Sequence, residues 1–508
     1  MTTTTMLHRP RAALALEWRV QLRLRVPLLA ATLAALWAGA AAFLPAHLAR
    51  PFASLILFLD TAGFGVLFAV FLLLGERTSG AWAALRVSPL GAGEYVAARL
   101  SVLTLLSTAS TVPITLAARP AGPVAGVATA AAGTALLTVL LCALSLAACA
   151  RAHSLSDVVA AVPVALGPML VPALVVATGL TENPLLYAAP TSAAHALVLW
   201  GLNPAAAPLS GATVAALAGY AAVSAAGACA LARWALARAS TLETPDRRTR
   251  RRPHPTRTKL WPSGSPLRTL ARIDLIGAAG DPITWAVLAG PALTALGLRY
   301  GLPLLDDAPV VIHTGLDLDR LHPVLLAALV LLHVPLMVGG MVALRTAEDR
   351  EQGAVTLLST SPLGIGRYLA YRAATAAALT AIGLVAALPL SGLADGPAWR
   401  LTGAALLATT LAPAFVLIVT AAVANRVRAL ALAKVAGALF TLVPVAAWTL
   451  GPAWAWILAP LPPLWPVAAL PGYAMAPATI ILPAGALAAL ALTAALWRWA
   501  RNAVDQSR

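Results

Sequence analysis

Twelve apolar runs, each long enough to cross a bilayer, take up most of the chain. They lie at 27–48, 51–74, 95–117, 122–150, 156–179 and 212–236, then at 282–300, 323–344, 368–393, 399–424, 429–450 and 478–499. A hydrocarbon core of ~30 Å needs about 20 apolar residues per helical crossing. In lipid the backbone polar groups must also be satisfied within the element itself. The runs therefore predict an all-α polytopic membrane protein of about 12 transmembrane helices, arranged as two homologous six-helix bundles. Composition agrees, with 60% of the 508 residues hydrophobic and 11% charged, against about 25% charged in a soluble domain. A water-soluble enzyme, a nucleic-acid-binding module and a disordered chain are all excluded, and the bilayer lipid is the first partner.

The few charges are strongly biased, with a formal net charge of +16. With both termini placed in the cytoplasm, 30 of the 35 lysines and arginines fall on the cytoplasmic side. Only Arg50, Arg119, Arg299, Arg320 and Arg400 remain outside. Short cytoplasmic loops collect Lys and Arg, so this split predicts the orientation and an even number of spans. The largest share sits in 239–271, where Arg247, Arg248, Arg250, Arg251, Arg252, Arg257 and Lys259 stand among Pro, Thr and Ser. That stretch reads as a basic cytoplasmic linker between a first half, 1–238, and a second, 272–508. The basic head and the long first run predict a retained span rather than a cleaved leader. Cys142, Cys149 and Cys229 lie in apolar runs without metal-ligand spacing, as small packing residues do.

An internal repeat narrows the reading further. The segment 76–99, ERTSGAWAALRVSPLGAGEYVAAR, and the segment 349–372, DREQGAVTLLSTSPLGIGRYLAYR, are identical at 12 of 24 positions with a constant offset of 273. The shared residues include Arg, Ser-Pro, Gly and Tyr, which generic membrane composition does not supply. Each copy reads as a short cytoplasmic helix. Ala81, Trp82 and Leu85 share one face in the first copy, and Ala354, Val355 and Leu358 in the second. Ser88-Pro89 and Ser361-Pro362 end the helix, since the residue before proline avoids the α region. Glycines 91, 93, 364 and 366 are expected to permit the return into the membrane. Retention of so specific a string in both halves points to a docking surface rather than a mere interfacial connector.

An acid, then Gly-Ala, Leu, Ser-Pro-Leu and Tyr at the end of the second span resemble the membrane subunits of ABC-2 type transporters. The fused drug-exporter-like permeases of actinobacteria are the most similar kind. That resemblance implies a permease in the bacterial plasma membrane, exporting an amphipathic drug, lipid or peptide. It implies coupling segments formed by Glu76, Gly80, Trp82, Leu85, Ser88, Pro89 and Leu90, and by Asp349, Gly353, Val355, Leu358, Ser361, Pro362 and Leu363. These would fit an ABC ATPase subunit, two copies of it, which carries the ATP and Mg. No cofactor is expected on this chain. The departure from strict symmetry is the acid, Glu76 against Asp349, so the two docking sites need not be equivalent. The resemblance also implies an amphipathic helix before the first span of each half. In the first half, Trp18–Arg25 alternates with period two, a strand signal. A lone strand at a membrane face would leave its edges unpaired, and a helix is expected.

Within the spans, Asp60 is the costly exception, at about 2.5–3.5 kcal/mol on insertion scales. The repeat offset places His333 at the equivalent position, and the pair is expected to line the transport path. The acid-rich segment 301–322, with Asp306, Asp307, His313, Asp317 and Asp319, reads as a solvated outer loop rather than a cation site. The uncharged segments Pro184–Pro204 and Pro452–Pro477, with Trp200, Trp454, Trp456 and Trp465, read as re-entrant or interfacial caps.

The chain encodes no recognisable ATPase. A P-loop needs Gly-Lys-Ser/Thr at its end, and neither Lys259 nor Lys434 has those neighbours. Two other classes fit less well. A proton-coupled six-plus-six secondary transporter shares the layout, but its loop signature fails at Glu76–Trp82. A membrane glycosyl transferase would need paired acids after the first span, where His47 and Arg50 stand instead.

Overall fold

The computed structural model describes residues 3–120, 122–180, 183–205, 209–242, 266–306, 311, 317–351, 353, 363–423, 425–473 and 475–505. Most of the basic linker lies outside the described residues, as do Asp307, His313 and 354–362 of the second coupling segment. No strand occurs among the described residues. Eleven of their helices are long and apolar enough to cross a membrane, and the chain is an all-α polytopic membrane protein. The eleven match the expected runs apart from 282–300. That run forms a helix, Pro282–Leu305, but Arg299, Tyr300 and two internal prolines dilute its apolarity. The described helices fall into two compact units.

The first unit opens with α1 (Thr3–Arg23), the helix expected at the head. The period-two pattern misleads because the inward face is partly polar: Ala13, Glu17 and Gln21, spaced by four, are buried. Arg25, left-handed at φ 61°, turns the chain into α2 (Val26–Phe43), which carries Pro27 in its first turn. The second span combines α3 (Ala46–Ile56) and α4 (Gly63–Thr78). After it come α5 (Ala81–Val87), α6 (Ala92–Ala117), α7 (Pro123–Ala148), α8 (Leu155–Thr178), α9 (Pro190–Leu202) and α10 (Gly211–Leu242). The centre of the unit is α7, packed on α4, α6, α9 and α10. Its seam with α9 is backbone on backbone. A Cβ at Gly126 would stand 2.5 Å from the Gly201 carbonyl oxygen, and one at Gly201 would stand 2.7 Å from that of Gly126. Small residues at such spacing let membrane helices approach closely. So the uncharged segment 184–204 of this unit contains a short helix set into the bundle, with Ser54 of α3 hydrogen-bonded to the buried His195 at 3.1 Å.

The second unit holds α11 (Pro266–Ala279) and α12 (Pro282–Leu305), then a second span made of α13 (Leu318–Leu325) and α14 (His333–Glu351). It continues with α15 (Gly364–Leu390), α16 (Ala398–Thr409), α17 (Leu411–Ala422), α18 (Arg426–Thr449), α19 (Gly451–Ala455), α20 (Leu464–Ala469) and α21 (Ala478–Asp505). Here α17 is the packing centre, against α14, α15 and α21.

Both second spans share a distortion that no residue pattern announces. A π-helical stretch interrupts each, at Leu57–Ala62 and at Leu326–Leu331. Each span is also overlong, 33 and 34 residues. At 1.5 Å per residue that is about 50 Å of helix, against a hydrocarbon core of ~30 Å. Glu76 and Asp349 stand near the far ends of these overlong spans.

Candidate coupling site

In the first unit the repeated segment is built around one arginine. Arg99 on α6 is fully buried and is the largest side chain so enclosed among the described residues. Its guanidinium holds Glu17 of α1 through two parallel hydrogen bonds, Nε to Oε1 at 3.2 Å and Nη2 to Oε2 at 3.1 Å. The same Nη2 donates to Glu76 Oε1 at 2.5 Å, and Nη1 donates to Tyr95 Oη at 2.6 Å. The Tyr95 hydroxyl in turn donates to Glu76 Oε2 at 2.6 Å, and Gln21 Nε2 donates to Glu17 Oε1 at 2.8 Å. Three elements, α1, α4 and α6, are thus pinned at one point. Burial alone would raise the Glu17 carboxyl. The Arg99 charge and the hydrogen bonds from Arg99 and Gln21 outweigh it and hold the carboxyl below its usual range.

The next residue along α4 makes a second tie. Arg77 donates to the carbonyls of Ala150 and Ala152 beyond the C-terminus of α7, where a cation meets the unpaired carbonyls and the negative end of the helix dipole. Its guanidinium also lies 5.3 Å from the Trp82 ring centre, and Trp82 packs edge-on against Tyr95 at 5.4 Å.

The second unit repeats this geometry. Arg372 on α15 donates to Asp349 Oδ2 at 2.6 Å and to Asp274 Oδ2 of α11 at 3.0 Å. The Tyr368 hydroxyl donates to Asp349 Oδ2 at 2.5 Å, and Arg350 donates to the carbonyls of Thr420 and Val423 at the end of α17. Glu76 and Asp349, Arg77 and Arg350, Tyr95 and Tyr368, Arg99 and Arg372, and Ala150 and Val423 are all 273 apart. The two nodes differ in dryness. The Arg99 side chain is 0% exposed and Glu17 8%, against 10% for Arg372 and 28% for Asp274. Aspartates are one methylene shorter than glutamates, and Tyr371 donates to Asp274 at 3.0 Å where the first unit has Ala98. A further cluster is confined to the second unit. There Arg426, at the start of α18, binds Glu351 at 2.6 Å and Glu348 at 3.1 Å. The offset places Thr78, Gly75 and His153 at those three positions in the first unit.

The expected coupling residues divide between anchor and surface. Glu76, Asp349 and Trp82 point inward, and Leu363 belongs to a core with Tyr368, Leu417 and Leu496. Pro89 is exposed, and so are Ala81, Ala84 and Val87 on α5. Ser88 ends the helix in extended conformation as expected, its Oγ bonded to the Leu85 carbonyl at 2.6 Å and accepting from the Leu90 amide at 3.3 Å. The glycine expectation needs correction. Gly91 is extended with negative φ and Gly93 is helical; a Cβ at Gly93 would meet Arg233 Nε at 3.0 Å. The left-handed positions are Gly80 at φ 78°, its counterpart Gly353 at 76°, and Gly364 at 69°. Val355, Leu358, Ser361 and Pro362 lie outside the described residues. Sequence reading missed Glu17, Asp274 and Tyr371. The available signal was Glu17 itself, the lone acid among five arginines in the head.

Asp60 and His333 both fall at the π-helical distortion. Asp60 is inside the first stretch and accepts a hydrogen bond from the Trp37 indole on α2 at 2.7 Å. His333 opens α14, two residues after Leu331 ends the second stretch. No group of three His, Cys, Asp or Glu side chains that could hold a metal occurs among the described residues.

Comparison with known families decides what kind of protein this is. Residues 8–241 match the model of the fluoroquinolones export permease protein family, and residues 274–499 match that of the Rv2686c-like fluoroquinolones export permease proteins. The chain belongs to these export permease families. Between them the two matches take in both copies of the arginine node, so the duplication unites two permease halves in one membrane permease. The chain is 28% identical over 200 residues to the fluoroquinolones export permease proteins Rv2686c and MT2760, from two strains of Mycobacterium tuberculosis. That stretch is 39% of this chain and 79% of either relative, so each relative is roughly half as long. No solved structure matches. The resemblance to actinobacterial drug-exporter permeases drawn from the repeated segment is borne out.

Proposed function

We propose that this permease is the membrane subunit of an ATP-driven exporter, powered by a separate ATPase that docks on both repeated corners. The observation that carries this reading is the arginine node, present twice. A segment that merely skims the lipid surface needs no rigid tie to three helices. A segment that must transmit a push does, and the Glu17–Arg99–Glu76 and Asp274–Arg372–Asp349 connections supply it. On the outer side of the first corner, Ala81, Ala84, Val87 and Pro89 form the docking face. Movement there would pass through Tyr95 and Arg99 into α6, and through Glu76 into the second span, rocking each unit as a body.

Both termini and the basic linker lie in the cytoplasm of a bacterial cell in this reading. The relatives are named for fluoroquinolone export, which supports an amphipathic drug as cargo. Asp60 in the first unit and His333 in the second are each a polar position on the path of their own unit, because a π-helical stretch at or just before the residue frequently marks a working site, and intramembrane ionisable residues face such paths.

Co-purification of the chain with an ATPase subunit from its own host tests the docking. Gly80→Pro combined with Gly353→Pro removes both left-handed corners. Loss of the complex and of drug efflux is expected, and intact complex and efflux would overturn the coupling assignment. Efflux that survives ATP depletion and stops with a protonophore would replace ATP by the proton gradient as the driving force.

A further inference from the structure

The second unit holds an open-sided cavity of about 250 Å³ that the transport reading does not use. Its walls come from α17, from the 459–466 segment and from α21, with Leu411, Ala414, Pro462, Trp465, Ala489 and Leu492 among them. On α21 the wall residues Gly485, Ala488, Ala489 and Leu492 follow spacings of three, one and three, so one face of the helix is cut back by small side chains. The two hydroxyls in the lining are already used. Thr410 Oγ1 donates to the Leu407 carbonyl and Thr493 Oγ1 to the Ala489 carbonyl, both at 2.7 Å. Both donor protons are thus spent within the helices, and no charged side chain lines the cavity.

Its position names the occupant. Leu487 and Leu490, beside the cavity on α21, are 69% and 68% exposed, an apolar face of the kind lipid covers. Trp454 and Trp456 are exposed, as tryptophans at a membrane interface are, and Trp465 of the cavity wall has its ring 6.3 Å from that of Trp456. Counting from Ala478, Gly485 and Thr493 lie ~10 and ~22 Å along α21, a stretch that takes in the middle of a core of ~30 Å. Lipid tails gain no hydrophobic energy from leaving other tails. An empty cavity nevertheless forfeits dispersion contacts on all its walls, and a flexible alkyl chain recovers them.

We infer that this cavity seats one acyl chain of a bilayer phospholipid. The inference is independent of the ATPase reading. It is tested on the full chain in phosphatidylglycerol nanodiscs doped with a phospholipid carrying a diazirine at mid-chain. After irradiation, peptides covering 459–466 and 485–493 are expected to carry several-fold more label than the equally lipid-exposed face of α10 at Val223. Ala489→Leu and Thr493→Leu each fill the cavity. They should lower that label several-fold with α10 labelling unchanged; if either fails to fold, the other variant and the wild-type pattern decide. Even labelling of all lipid-facing helices would overturn the proposal, as would labelling unaffected by a folded cavity-filling variant. A photoreactive quinolone that labels these peptides and displaces the acyl label would make the cavity a cargo pocket, and would equally overturn it.

Discussion

Arg99 and Glu17 are joined by two hydrogen bonds of 3.2 and 3.1 Å although 82 residues separate them. The pair ties the head of the chain to the third span in a place where neither charge meets water. A second carboxylate, Glu76, shares the same guanidinium, so removing the cation strands a buried anion and a half-buried one at once.

Arg99→Leu should therefore destabilise the protein by about 3–5 kcal/mol, the cost of leaving buried charge uncompensated. Arg372→Leu should cost less, because its aspartate partners are each 28% exposed and can rehydrate. Thermal unfolding of the purified variants in detergent checks both the size and the order. Equal losses would mean that burial does not separate the two nodes.

The depressed Glu17 carboxyl links stability to acidity. A group whose folded pKa lies below its unfolded value, about 4.3 for glutamate, contributes fully above that unfolded value. The contribution disappears as pH falls through the folded value. Melting temperature should stay level from neutral pH down to about 5 and drop below about 4. Glu17→Gln should lower the plateau and make the acid drop shallower. A parallel shift of the whole curve would argue against this linkage.

Trp82 and Val87 lie on one short helix and should answer to different assays. Trp82 is buried under Arg77 and Tyr95, so Trp82→Ala should cost about 3–5 kcal/mol as a core truncation. Val87 is 88% exposed. Val87→Asp should leave the melting temperature unchanged and weaken capture of the ATPase subunit in a pull-down.

The α7–α9 seam has no room for a methyl group. Gly126→Ala places a Cβ against the Gly201 backbone, which cannot rotate away, and should cost about 1–3 kcal/mol as overpacking. Gly39→Ala, with nothing within 4 Å of the added carbon, should be neutral or stabilise its helix by up to about 1 kcal/mol. Paired melts of the two variants give the contrast directly.

By itself, the sequence determined that this is a helical membrane protein of two related halves, because apolar run length and loop charge answer to the bilayer rather than to tertiary contacts. It also determined where the repeated corners are, since 12 identities at one offset survive in 76–99 and 349–372. The role of each residue there was decided by tertiary structure. Glu76 and Trp82 read as docking contacts on a surface helix, yet they face inward, because Arg99 and Arg77 lie where only the packing of α1, α4, α6 and α7 brings them. Glu17 could not be assigned from a pattern that alternates like a strand. Its inward face is polar, and hydrophobic periodicity carries no mark of a buried ion pair. The π-helical stretches at Asp60 and before His333 were equally invisible, since one extra residue in a helical turn is a matter of backbone hydrogen-bond register and leaves composition unchanged.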